Sequence, residues 1–507
     1  MTSSPSILKP SNDYPSVSPG ELSYSREDWK QGYRSLRNEF DYWIDEVEGM
    51  IPPELNGTLF RNGPGLTDVN GQRLHHPFDG DGMICAIAFR NGRAHFRNRF
   101  VKTPEYLTEQ REGKICYRGV FGTEKPGGML ANAFDLRLKN IANTQVIYWG
   151  GKLLALWEAA QPYALDPRTL DTIGLDNLNG GLKPGESFAA HPWVDPSCAL
   201  DNGDPCLVNF SISPALSTTI NLYELNLSGE MVRKKAHNVP GFAFIHDFAI
   251  TPNYAIFFQN PVSMNPLPFA LGMKSAAQCI QSQPGKPTNI VVISRHRNEP
   301  MITVPADIGF VFHHVNAFER DGNLVIDSVC YDSFPVIERD EDYLEVDFDE
   351  VAYGKLHRFQ VDLAQQTVQK TVIDQRACEF PQVHPEHVGR PYRYTYIGAA
   401  YSSTGNAPFQ TIWKVDMENP ANQQVWSGAP KRFIGEPIFI PRPDGTTEDD
   451  GWVLTLVFNA ARSKSELIIL DARDFSQGPV AVLKLKHHVP YGLHGSFTFD
   501  DLGPDEE

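Results

Sequence analysis

The sequence predicts an all-β fold, a β-propeller of seven four-stranded blades, on three observations. Short runs rich in β-branched and aromatic residues follow one another from Gly57 to the C-terminus. Gly, Asn, Asp and Pro punctuate them throughout. The runs pair as hairpins across tight turns, in numbers that fit seven blades at roughly 50–70 residues each.

Taken in order, residues 1–25 are rich in Ser and Pro and are expected to form a loose arm, with residues 26–507 as a single propeller domain. SREDWKQGYRSLRNEFDYWIDEVEG carries helix-like and turn-like patches. MICAIAFRNGRAHFRNRFV then predicts a hairpin turning at Asn91-Gly92, and QVIYWGGKLLALWE one turning at Gly150-Gly151. TTINLYELNLSGEMVRK turns near Gly229, and NAFERDGNLVIDSVCYD at Asp321-Gly322. KLHRFQVDLAQQTVQKTVI, TIWKVDMENPANQQVWSG and GWVLTLVFNAARSKSELIILDARDFSQGPVAVLKL read as the outer hairpins of further blades. No motif recurs at fixed spacing, so a pair of β-sandwiches fits the same cadence.

Composition narrows the function classes. The formal charge of −17 repels polyanions, and no Lys/Arg stripe stands out to neutralise phosphates, so nucleic acid is not an expected partner. Seven cysteines without a CxxC pair fit isolated thiols in a reducing compartment, and a cytoplasmic location is expected. The N-terminus lacks the apolar core of a secretory signal, and no stretch reaches the ~18 apolar residues of a membrane span. At most, then, the chain attaches to one membrane face. Its 30 Phe, 18 Tyr and 8 Trp suffice to line a large interior.

Four of the 15 histidines lie in apolar, turn-bounded segments that read as strand ends: His191 in FAAHPWVDP, His246 in GFAFIHDFAIT, His313 in GFVFHHVNAFE and His494 in PYGLHGSF. Their separations of 55, 67 and 181 residues exclude a local zinc motif. In a propeller the inner strand of every blade faces the axis, so single histidines from four blades can meet at one ion. Strand alternation sends His313 and His314 to opposite sides, so only one of them reaches a shared metal. Any one of these residues alone is ordinarily a satisfied core histidine. Glu158 in LLALWEAAQP, Glu379 in RACEFPQVHP and Glu436 in FIGEPIFIPRP are acids among apolar neighbours. They are candidates to take the other ring N–H of a ligating histidine, and pairing with Arg is the plainer reading.

The segments GTLFRNGPG, HPFDGDGM, LWEAAQP, AHPWVDP, FIHDFAIT, FHHVNAFE, EFPQVHP, GEPIFIPRP and LHGSF, in that order, resemble the signatures of the carotenoid cleavage oxygenases. RNGPGL, KNIANT, STGNAP and LKLKHHVPY point to the apocarotenoid-cleaving members of that family. The resemblance implies a seven-bladed propeller with a helical and loop cap over an axial iron. It implies Fe(II) ligands His191, His246, His313 and His494, with His313 preferred over His314 because relatives with a single histidine align there. It further implies that Glu158, Glu379 and Glu436 support His246, His313 and His494 respectively, leaving His191 to another partner or to water.

The implied activity is cleavage of the central 15,15′ double bond of apocarotenals or apocarotenols with O₂, to give retinal and a second carbonyl fragment. Thr144 in KNIANT would stand beside the open coordination position. Phe78, Phe121, Trp157, Phe244, Phe312 and Phe380 would line the tunnel for an apolar polyene. GGMLANAF, with Met129, Leu130 and Phe134, is the candidate patch for contact with one membrane leaflet. Two alternatives stand beside this reading, a stilbene-cleaving dioxygenase of the same fold and a non-catalytic propeller that binds partners through its loops. Oligomeric state is not legible.

Overall fold

A computed structural model describes residues 23–198, 203–213, 217–307, 309–335 and 341–505. Seven antiparallel sheets follow one another around an axis. Blade 1 runs from its inner strand outward through Gly495–Thr498, Gly57–Arg61, Met83–Arg90 and Arg93–Phe100, with Asp41–Trp43 added outside. Blade 2 begins at Gln145–Trp149, blade 3 at Trp193–Asp195, blade 4 at Ala249–Ile250, blade 5 at Phe310–Arg320 and blade 6 at Cys378–Val383. Blade 7 has a broken inner strand, Arg432–Ile434 and Ile438–Pro441, both paired to Gly451–Asn459.

The ring closes twice. The C-terminal strand Gly495–Thr498 pairs with Gly57–Arg61 inside blade 1, and Val47–Gly49 near the N-terminus pairs with Pro479–Lys484 outside blade 7. Both ends of the chain thus lock blades 1 and 7 together, and a packed cluster containing Phe89, Phe96, Trp452, Leu467 and Leu483 fills the space between them. Similar layers of Val, Ile, Leu and Phe fill the other gaps between blades.

The predicted hairpins at Asn91-Gly92, Gly150-Gly151 and Asp321-Gly322 all form, and both residues of each turn have positive φ. That backbone matches the right-handed twist of the flanking strands, and it explains why Gly, Asn and Asp stand there. Most of the expected N-terminal arm lies outside the described residues. Tyr24 packs edge-on to Phe348, and Ser25 caps the helix Arg26–Lys30.

Two insertions form a cap. Pro104–Glu112 and Gly128–Asn132 are helices between blades 1 and 2, and Val262–Ser282 interrupts blade 4 with a short ribbon and the helix Pro266–Ala270. Arg118 ties them together. Its buried guanidinium donates to the carbonyls of Asp135 at 3.0 Å, Phe269 at 2.9 Å and Lys274 at 2.8 Å, and it lies over the Phe269 ring.

Candidate metal centre

Every blade contributes one residue at or next to its inner strand. Thr144 precedes that of blade 2, His191 that of blade 3, His246 that of blade 4 and His494 that of blade 1; His313 and Glu379 lie within those of blades 5 and 6, and Glu436 sits in the break of blade 7. The four histidines converge, with one ring nitrogen of each within 4.8 Å of the others. The ring centroid of His191 is 4.3 Å from His246, 5.0 Å from His313 and 4.5 Å from His494.

Three of these rings are oriented by carboxylates. His246 Nδ1 pairs with Glu158, His313 Nδ1 meets Glu379 Oε2 at 2.5 Å, and His494 Nδ1 meets Glu436 Oε1 at 2.9 Å. A carboxylate only accepts, so each Nδ1 carries the proton and each neutral ring turns a lone pair on Nε2 toward the axis. His246 Nε2 and His313 Nε2 stand 3.2 Å apart. Two lone pairs at that distance repel unless a proton or a metal ion lies between them. An ion ~2.1 Å from each nitrogen would set them about 3.0 Å apart at a right angle and about 3.4 Å apart at a tetrahedral angle. The donor set, and the buried His191 Nε2 that has no hydrogen-bond partner, therefore fit a metal ion. Among the described residues no carboxylate pairs with His191.

The electrostatics separate His313 from His191 and His494. Burial, and then the other three imidazoles, hold the His191 pKa well below the ordinary value. Burial takes His494 to about 4 against the opposing pull of Glu436. Burial depresses His313 too, but the charge and hydrogen bond of Glu379 reverse the effect, and its pKa ends above the ordinary value. Glu379 and Glu436 are both buried, which favours their neutral forms; His313 for the first, and Arg61 and His494 for the second, keep them below the usual carboxylate range.

His314 is turned away from the axis. Its Nδ1 meets Ser328 Oγ at 2.8 Å, and its ring packs edge-on to Phe258 in the layer between blades 4 and 5. A second group close enough to hold a metal, Asp195 with Cys198 and Cys206, is filled instead by the Arg295 guanidinium, 2.7 Å from Asp195 and 3.7 Å from Cys206 Sγ.

A model of the retinal pigment epithelial membrane protein family matches residues 33–499. The chain belongs to that family, the carotenoid oxygenases. It is 53% identical over 485 residues to apocarotenoid-15,15'-oxygenase of Synechocystis sp., covering 96% of this chain and 99% of that one. It is 30% identical to resveratrol cleavage oxygenase 1 of Aspergillus fumigatus, covering 94% and 96%. The solved structure of cobalt-substituted Synechocystis ACO superposes with a TM-score of 0.93 at 53% identity, over 94% of this chain and all of the other.

In this carotenoid oxygenase the other candidate residues are distributed unevenly. Phe312 lies edge-on to His246, and Phe380 has its centroid 5.3 Å from His494. Phe244 stands one ring further out, against Phe310 and Phe334. Phe78 and Phe121 form a separate cluster with His76 and Tyr343, joined to the centre through Asn143, whose amide donates to Phe78 O at 2.9 Å beside Thr144. Trp157 is buried next to Glu158. Thr144 O accepts the His494 amide at 3.1 Å, which fixes Thr144 against the four histidines.

Met129, Leu130 and Phe134 are 50%, 87% and 80% exposed on the cap. Leu136, Leu267 and Met273, which sequence reasoning missed, extend this apolar surface. The Phe134 amide donates to Ala270 O at 2.7 Å, so two insertions far apart in sequence make one patch. Arg61 and Tyr331, bonded to Glu436 and Glu379, were missed as well. The available signals were a charge ending the apolar strand GTLFR and a Tyr ending an apolar one.

Proposed function

We propose that this carotenoid oxygenase is an iron(II)-dependent dioxygenase that cleaves the central 15,15′ double bond of apocarotenals and apocarotenols, giving retinal and a second carbonyl fragment. The observation that carries the metal reading is the pair of facing Nε2 lone pairs of His246 and His313, completed by His191 and His494. Substrate class follows the relative at 53% identity rather than the stilbene-cleaving ones near 30%. Iron rather than zinc is favoured because four histidines complete a zinc shell, whereas iron accepts five or six ligands and leaves room for O₂.

A bound ferrous ion supplies the one-electron chemistry that lets O₂ react with an alkene. One C=C bond and one O₂ are consumed and two C=O bonds form, so the balance needs no external reductant. The residues of the chain do the remainder. Glu158, Glu379 and Glu436 hold three imidazoles in the tautomer that presents Nε2. Thr144 borders the open side of the centre, and Phe312, Phe380, Phe244 and Trp157, with Phe78 and Phe121 further out, exclude water and set which double bond reaches it.

The patch of Met129, Leu130 and Phe134 docks on one leaflet, from which an apolar polyene enters the tunnel. No helix among the described residues is long and apolar enough to cross a membrane. The location we favour is cytoplasmic with peripheral membrane contact, and residues 26–507 act as one catalytic domain.

The test is incubation of iron-loaded protein with a panel of apocarotenals, apocarotenols and resveratrol under ¹⁸O₂. Retinal from the apocarotenoids, with label in both fresh carbonyls after correction for exchange, is the expected result. Turnover of resveratrol alone, or both oxygens arising from water, would overturn the proposal.

A further inference from the structure

Counting charge at the centre exposes an imbalance. Four neutral imidazoles bring none, while the three carboxylates bonded to them, Glu158, Glu379 and Glu436, bring three negative charges, one more than a ferrous ion offsets, and the buried Asp247 beside His246 adds to that excess. Among the described residues, one cationic side chain bonds any of these carboxylates. It is Arg61, whose Nη1 pairs with Glu436 Oε2 at only 5% side-chain exposure. Glu379 is closed by neutral donors, the Tyr331 hydroxyl at 2.7 Å and the Phe380 amide at 2.9 Å. Glu158 is 32% exposed, so water screens it.

Arg61 also grips the backbone that carries the ligand. Its Nη2 donates to Leu493 O at 2.9 Å, one residue before His494, while Glu436 accepts from His494 Nδ1 and from the Gly495 amide, each at 2.9 Å. The guanidinium reaches this place by crossing Gly495, its partner in the sheet. A Cβ there would stand 2.7 Å from Arg61 Cδ and 2.2 Å from Phe60 O. Glycine at 495 thus makes room for a charge buried beside the axis, a placement that is costly unless the charge is paired.

We propose that Arg61 is a positioning residue that offsets the excess carboxylate charge behind His494, so that the ferrous state is favoured over the ferric. Without that positive charge the uncompensated Glu436 stabilises the higher oxidation state. The inference rests on the iron reading above.

The experiment is a spectroelectrochemical titration of the Fe(III)/Fe(II) couple in the iron-loaded full chain, as wild type, Arg61→Met, Arg61→Lys and the double variant Arg61→Met/Glu436→Gln. Arg61→Met should raise the ferric-to-ferrous ratio at fixed potential about tenfold, a midpoint about 59 mV lower for a one-electron couple. Arg61→Lys keeps the charge and should stay near wild type. The double variant removes one charge of each sign and should return there also, a rescue that lost packing alone would not produce. An unmoved midpoint in Arg61→Met, a shift in Arg61→Lys as large as in Arg61→Met, or a double variant that fails to return would each overturn the proposal. Should Arg61→Met not fold, Glu436→Gln decides it: removing the negative charge while Arg61 stays should raise the midpoint by about 59 mV, and an unmoved midpoint would overturn the proposal. A wild-type chain that binds no iron would sink the iron reading itself, whereas iron present with an unmoved midpoint sinks only the role of Arg61.

Discussion

Adjacent histidines in one strand give the sharpest contrast. His313 faces the axis and His314 the layer between blades, so alanine at each should have opposite consequences. His313→Ala removes a ligand and leaves Glu379 without its imidazole. Removing an outer partner alone costs roughly 10- to 100-fold in metal affinity, so loss of the ligand should cost at least as much. His314→Ala leaves the centre intact but opens a cavity, at roughly 2–4 kcal/mol by the measure of large-to-small core replacements. It also leaves the Ser328 hydroxyl without a partner, at about 1 kcal/mol. At about 2.1 cal/mol/K per residue, 507 residues unfold with an entropy of about 1.1 kcal/mol/K, so these costs lower Tm by about 3–5 °C. Iron per chain by elemental analysis, read beside a thermal melt, separates the two variants. Iron lost equally from both, or lost only from His314→Ala, would refute the assignment.

Further outcomes follow from the same geometry. Gln at Glu379 or Glu436 should lower iron affinity more than Gln at Glu158, because only Glu158 is exposed enough for water to replace its carboxylate; equal losses in competitive chelator titrations would contradict this. Leu130→Ser with Phe134→Ser should weaken liposome binding by more than about tenfold without changing iron content, and unchanged flotation would retire the membrane patch. His76 is buried among Phe78, Phe121 and Tyr343, and burial takes its pKa to about 3. The unfolded chain binds that proton near pH 6.5, so this contribution to stability is intact above pH 6.5 and is lost as pH falls toward 3. His76→Asn should therefore show a flatter Tm between pH 7 and 5 than wild type; parallel curves would show that His76 does not carry the effect.

What the sequence revealed depended on the range of each interaction. The turns at Asn91-Gly92 and Asp321-Gly322 were legible because two adjacent residues with positive φ dictate a hairpin wherever they occur. The closure of the ring was not, since Gly57–Arg61 finds its partner Gly495–Thr498 at the far end of the chain and no local pattern announces it. The four histidines were visible as candidates, yet their convergence is a property of the ring. Alternation sent His313 and His314 to opposite sides even though the strand shifts register on both sides of His314. Which of the two faces the axis came from family resemblance, not from spacing. The patch was half legible, because Leu267 and Met273 join Leu130 and Phe134 only through the contacts that Arg118 organises across the cap. Arg61 escaped notice because its partner Glu436 lies 375 residues away.

The chemistry proposed for this chain depends on one ion at the meeting point of four blades. Anomalous scattering collected at the iron edge from crystals of the purified protein tests it directly. A single peak about 2.1 Å from one nitrogen each of His191, His246, His313 and His494 is the predicted result; a peak elsewhere, or an active preparation with no iron at that position, would contradict it.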